Sequence, residues 1–255
     1  MCGRVKKIII PYIIAFFVYY IYFYTKNWIN VNETIQNLCL GTLVGHFYYV
    51  IIAIQAYLIF PLLQKLFKKY DKILLLISLV STIVFAKFIF FSYSDRFIGT
   101  YILYFVLGMF FAKYNKKFVN KKYAIISLVS FLLIGVAHLS LSYLANMGMF
   151  KYKISAIINI IYVISATIAL YNGCKLCYKT SKLDNLVNPI NKDSYYIYLY
   201  HSLIIFILQN EIFTKYYLTI KYKFIISTIV LYSMIFICCY LKNWIIKKRK
   251  EVLYE

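Results

Sequence analysis

Side chains able to do chemistry gather in one apolar stretch, Ser194 to Gln209, which reads SYYIYLYHSLIIFILQ. On a helix, Ser194, Tyr198, His201, Ser202 and Gln209 fall within an arc of roughly 100°. Tyr196, Tyr200, Leu203 and Ile207 take the opposite side. The stripe offers the chemistry of an imidazole base set among hydroxyls. Facing lipid, each polar group would lack a hydrogen-bond partner at considerable cost, so the stripe is expected to face other helices or a wet chamber. Two readings follow for His201: a hydrogen bond between helices, or a functional site.

His46 is the second imidazole of interest. On a helix it shares a face with Tyr49, Ala53 and Tyr57, and Gln55 lies opposite. His138, with Ser127, Gly135 and Ser142 on its side, repeats the pattern weakly and reads as a contact between helices. The sequence holds no Gly-rich phosphate loop, paired carboxylates or nucleophile elbow. Cysteines stand at positions 2, 39, 174, 177, 238 and 239. Cys174-x-x-Cys177 has no second pair, and the spacings suggest neither a disulfide framework nor a metal site.

The elements that must position these residues are membrane spans. Hydrophobic residues make up 63% of the chain and mean hydropathy is +0.73, beyond the balance of a soluble domain. Apolar runs predict an all-α, polytopic transmembrane bundle of about eight spans. These cover about Ile8–Tyr24, Leu43–Leu66, Ile73–Tyr93, Thr100–Ala112, Tyr123–Leu144, Ile154–Tyr171, Ser194–Gln209 and Phe224–Asn243. Pro11 sits in the first turn of its helix, where a missing N–H does little harm, and Pro61 should bend its helix or free a carbonyl. The connector Thr25–Thr42 is polar and long, a feature often functional. Ser78, Ser81, Thr82 and Ser92 lie away from Lys87, which is therefore expected to snorkel toward an interface.

The net charge of +21 would suit nucleic acid, but the basic residues alternate with spans rather than forming one soluble face. Of 29 Lys and Arg, 21 fall in the ends and alternate connectors, 7 in the others, and Lys87 lies within a span. The bias places both termini in the cytoplasm.

Four stretches in this layout resemble acyltransferase family 3, bacterial membrane proteins that move acyl groups onto cell-surface carbohydrates. GRVKKIIIPYIIAFFVYYIY is similar to the family's basic loop and proline-bearing helix, and GHFYYVIIAIQAYLIFPLL to its histidine–aromatic span. RFIGTYILYFVLGMFFAKY is similar to its Phe-x-x-Gly helix, and NKDSYYIYLYHSLIIF to its Ser-Tyr-x-Ile-Tyr-Leu-x-His helix. The resemblance implies a single integral membrane domain over residues 1–255. Two departures stand out. The family's first two spans, with an Arg and a His about ten residues on, have no counterpart, so the chain reads as an N-terminally shortened member: a misplaced start codon, a decayed gene, or a protein that needs a partner for the missing helices. The family's Arg-x-x-Arg appears as Arg4-x-x-Lys7, which keeps charge but loses a guanidinium fork.

The activity implied is transfer of an acyl group, acetyl foremost, from acyl-CoA to a hydroxyl of a cell-surface or lipid-linked carbohydrate in a bacterial plasma membrane. No resident cofactor or metal and no nucleic acid is expected; acyl-CoA is the donor substrate, and membrane lipid and the glycan acceptor are partners. Such transfer needs a base, donors for a developing oxyanion and cations for nucleotide phosphates. The resemblance implies that Arg4 and Lys7 hold the donor at the inner mouth; the other reading of the pair is simple positive-inside anchoring. His46 and His201 are the candidate catalytic residues. They are expected to lie far apart across the membrane, His46 orienting an acceptor at the outer mouth and His201 lining a passage for the pantetheine arm. Tyr49, Tyr57, Tyr198 and Ser202 are candidate substrate contacts. The competing reading is a non-enzymatic membrane protein, a glycan or lipid exporter or a subunit of a complex, using the same stripes as a passage.

Overall fold

The computed structural model describes residues 2–89, 91–118, 121–148, 156–177, 187–188, 190–216 and 219–254. Among them every regular element is helical. The eight longer α-helices are α1 (Cys2–Thr25), α2 (Thr34–Leu40), α3 (Tyr48–Lys87), α4 (Ile102–Phe118), α5 (Lys121–Asn146), α6 (Ala156–Cys177), α7 (Ser194–Ile207) and α8 (Ile220–Tyr254). Described segments long and apolar enough to cross a membrane are Lys6–Thr25, Val31–Ala86, Lys122–Asn146 and Ile220–Lys242. Ile102–Tyr114 and Ile158–Cys174 are shorter apolar helices. The 40 residues of α3 would extend about 60 Å if straight, twice a hydrocarbon core of about 30 Å. The helix breaks instead at Tyr70, whose φ of −137° and ψ of 48° are not helical, within the basic run Lys65–Lys72. Pro61 denies the Tyr57 carbonyl its helical donor, but the break lies further on.

The chain divides into two compact units. The first, Tyr48–Lys179, holds α3 to α6. Leu63, Phe67 and Leu74 of α3 pack with Val106 of α4, and Ile52 and Ala56 pack with Ile98. Small polar groups on α3 turn to the same partner: the Leu103 amide donates to Thr82 Oγ1 at 3.3 Å, and Ser81 Oγ donates to the Gly99 carbonyl. Ser92, expected to join them, is exposed. Gln55 clamps the loop before α4, donating to the Arg96 carbonyl at 2.8 Å and accepting from the Ile98 amide at 3.0 Å. Gly99 fits there because a Cβ would lie 2.5 Å from the Phe97 ring and 2.8 Å from Phe85. At the α3 break, Asp71 accepts from Lys113 at 2.7 Å and from the Tyr114 hydroxyl at 2.6 Å. α5 lies along α6, with the Phe131 and Tyr162 rings stacked at 5.3 Å beside Gly135. His138 is half-buried on α5. The side chain of Lys87 lies outside those described, as does that of Cys177.

The second unit comprises Cys2–Phe47 and Thr180–Glu255. Its core is aromatic: Tyr12, Phe16, Tyr19 and Phe23 of α1 are buried at roughly helical spacing. The polar connector after α1 does not stay at the end of that helix. The Asn30 side chain caps a short turn by accepting from the Asn32 amide, and α2 then runs back along α1. Thr34 Oγ1 donates to the Tyr20 hydroxyl at 2.9 Å, and the Tyr12 hydroxyl donates to the Leu38 carbonyl at 2.6 Å. Gly41 ends α2 at φ 62°, the left-handed region that glycine enters without a steric penalty, and reverses the chain. Phe47 then packs edge-on against both Tyr12 and Tyr19, each at 5.3 Å.

Candidate active site

The reversal at Gly41 sets the position of His46. It stands in the 3₁₀ turn Gly45–Phe47, with Phe47 fully buried and anchoring the turn against α1 at the level of Tyr19. Tyr19 also bonds α7, its hydroxyl donating to the Leu199 carbonyl at 3.1 Å. α7 therefore presents Tyr198, His201 and Ser202 beside His46, which corrects the expectation that the two imidazoles are far apart. Their ring centroids are 4.9 Å apart. Residues 26–47 fold back along α1 instead of running from an outer loop straight into a span.

Four ring nitrogens define the chemistry of this cluster. His46 Nε2 lies 3.3 Å from the Leu199 carbonyl, and His201 Nδ1 lies 2.7 Å from the Tyr198 carbonyl. A carbonyl only accepts, so each of these nitrogens carries its proton. The tautomers are thereby fixed in the neutral rings, leaving His46 Nδ1 and His201 Nε2 with lone pairs. Both lone pairs meet one hydroxyl: Ser202 Oγ is 3.2 Å from His46 Nδ1 and 3.1 Å from His201 Nε2. The Tyr198 hydroxyl donates to the backbone carbonyl of His46, tying the 3₁₀ turn to α7. The Tyr195 hydroxyl donates to the Ile8 carbonyl at 2.9 Å, fixing α7 against α1 a second time. His46, Tyr198, His201 and Ser202 are all half-buried.

His201 also borders a cleft of about 540 Å³ between α7 and α8. Tyr196, Tyr200, Ile204 and Met234 supply apolar lining, and the paired Lys242 and Asp193 also border it.

Of the other sequence candidates, Ser194 and Gln209 share the α7 stripe but are exposed, and Gln209 borders a separate cleft beside Phe213 and Lys223. Lys7 is exposed near the start of α1, about 18 Å along the helix axis from Tyr19. The side chain of Arg4 lies outside those described. Tyr49 and Tyr57 belong to the other unit. Tyr49 is exposed and borders an aromatic cleft of about 340 Å³ with Tyr48, Tyr101 and Tyr104, whereas Tyr57 is half-buried on α3. Sequence reading missed Tyr19, whose buried hydroxyl links α1 to the turn of α7 that carries the cluster; its only signal was its place among the aromatic residues of α1.

A family model described as an acyltransferase domain matches residues 1–244. Comparison with curated proteins and with solved structures gave no match. With the match spanning nearly all of its 255 residues, the chain belongs to acyltransferase family 3, a family of membrane acyltransferases.

Proposed function

We propose that this protein transfers an acyl group from acyl-CoA, acetyl-CoA foremost, to a hydroxyl of a cell-surface or lipid-linked carbohydrate. The observation that carries the reading is the convergence of His46 Nδ1 and His201 Nε2 on Ser202 Oγ. Acyl transfer to a hydroxyl requires a neutral base close to a nucleophilic oxygen, with its tautomer fixed by a second contact. Backbone carbonyls of α7 supply that second contact to both rings. The cleft beside His201 suits the apolar part of a donor, while Arg4 and Lys7, at the start of α1, attract its phosphates. Tyr49, with the tyrosines beside it, and Tyr57 are the aromatic surfaces on which a sugar would stack. The protein sits in the plasma membrane of a bacterium with about eight spans and both termini in the cytoplasm, the arrangement favoured by its alternating basic connectors.

The test is transfer of radiolabelled acetyl from acetyl-CoA in membranes containing lipid-linked glycans, with the protein against His201→Gln at equal abundance. Transfer to glycan by the protein and its loss in the variant are expected. Glycan acylation that persists undiminished in His201→Gln would falsify the assignment of the base.

A further inference from the structure

We infer that Ser202 is a covalent nucleophile, carrying the acyl group as a serine ester between donor and acceptor. The inference rests on the acyl-transfer reading above and adds a step to it. The lone-pair nitrogens of both histidines are aimed at one side chain of the protein itself. Two ring nitrogens are held as donors by the Leu199 and Tyr198 carbonyls, and the other two are both directed at Ser202 Oγ. The O–H that these bases address is the protein's own. A nucleophilic oxygen within bonding distance of a base, with that base oriented by a third group, is the arrangement that activates serine in covalent catalysis. Here it occurs twice around one oxygen. A single serine proton can serve only one imidazole at a time, so the second lone pair is ready to receive the proton of the next hydroxyl.

The chemistry closes in two steps. Ser202 Oγ bonds to the thioester carbonyl carbon as its proton passes to His201 Nε2. The carbon–sulfur bond then breaks, and the departing CoA thiolate takes the proton from the imidazolium. In the second step the acceptor hydroxyl gives its proton to the free imidazole, and its oxygen bonds to the ester carbonyl carbon. The bond from that carbon to Oγ breaks, and Oγ recovers the proton. His201, the base beside Ser202, also lines the cleft offered for the donor. Tyr19, whose hydroxyl now bonds the Leu199 carbonyl 3.1 Å away, is the donor placed to turn onto the oxyanion.

The experiment has two arms on the full chain in lipid nanodiscs, with thermal unfolding profiles confirming that each variant folds. In the first arm a lipophilic fluorophosphonate, which reacts with activated serines whatever their substrate, is followed by peptide mass spectrometry. An adduct at Ser202 is expected, absent in Ser202→Ala and formed at least about tenfold more slowly in His201→Gln. In the second arm acetyl-CoA is supplied without acceptor, and an acetyl ester on the Ser202 peptide is expected. Ser202→Cys should hold the group as a thioester that hydroxylamine cleaves. A protein that folds but gives no phosphonate at Ser202 overturns the inference, whether or not it transfers acetyl. So does glycan acetylation with sequential kinetics and no ester. A phosphonate at Ser202 without any ester or transfer from acyl-CoA leaves the nucleophile standing and removes the donor reading instead.

Discussion

At the scale of single residues, the cluster depends on where backbone carbonyls of one helix point. Tyr198 and Leu199 each lend a carbonyl to an imidazole, so α7 orients its own base and that of another element. Loss of a positioned base costs about 10²–10⁴-fold in rate, so His201→Gln and His46→Gln should each lower acetyl transfer by at least about a hundredfold. His138→Gln, on α5, should leave the rate within about twofold, since it removes no proton carrier from the cluster. Rates measured at matched protein levels check both statements. Tyr198→Phe removes the tie from the hydroxyl to the His46 carbonyl and keeps both imidazoles. Its effect should be smaller than loss of either imidazole, a ranking that the same assay reads.

At the scale of elements, the connector between α1 and α3 is the part that brings the site together. α2 returns along α1 because Gly41 can adopt φ 62° at its end. An alanine there would suffer the clash of its Cβ with the following carbonyl, a cost of about 1–2 kcal/mol. Gly41→Ala is therefore expected to lower the unfolding midpoint in detergent and to lower transfer with it, because His46 lies five residues further on. In the other unit, Gly99 is held tightly between Phe97 and Phe85. Gly99→Ala should cost about 1–3 kcal/mol through overpacking, which a denaturation series would measure. A variant as stable as the parent would show that the two rings can move aside cheaply.

At the scale of the whole molecule, four described carboxylates, Asp71, Asp95, Asp193 and Glu211, pair with Lys or Arg. Hydrogen bonds from Lys113 and Tyr114 hold the Asp71 carboxyl at about 2, below its ordinary 3.8. Asp71 lies at the α3 break, beside Lys69 and Lys72 and between the apolar runs on either side. A carboxyl shifted downward contributes stability that is complete above its unfolded value and lost as pH falls toward its folded one. The unfolding midpoint should therefore drop between about pH 4 and pH 2, and Asp71→Asn should remove that part of the fall. With Lys113 nearly half exposed the effect is modest. Lys26 lowers Glu211 in the same sense in the other unit. The proposed topology has its own check in a chain freed of native cysteines. A membrane-impermeant maleimide applied to intact cells should label Thr214→Cys and leave Lys68→Cys untouched; labelling of position 68 would reverse the orientation.

The helical, membrane-embedded character of the chain was legible in the sequence because hydrocarbon demands long apolar runs whatever their neighbours. So were the stripe of Tyr198, His201 and Ser202, which follows from helical periodicity alone, and family membership, which follows from local stretches in order. The nearness of His46 to that stripe was not legible. It depends on a reversal at one glycine, on Phe47 finding a place between Tyr12 and Tyr19, and on a carbonyl about 150 residues away in sequence accepting its bond. Nor could periodicity separate Gln209 from Ser202, since both lie on one face and only neighbouring helices decide which becomes covered. Contacts between residues remote in the chain have no period to read. They come into being when aromatic surface and buried hydrogen bonds are satisfied together, and that is a property of the folded unit.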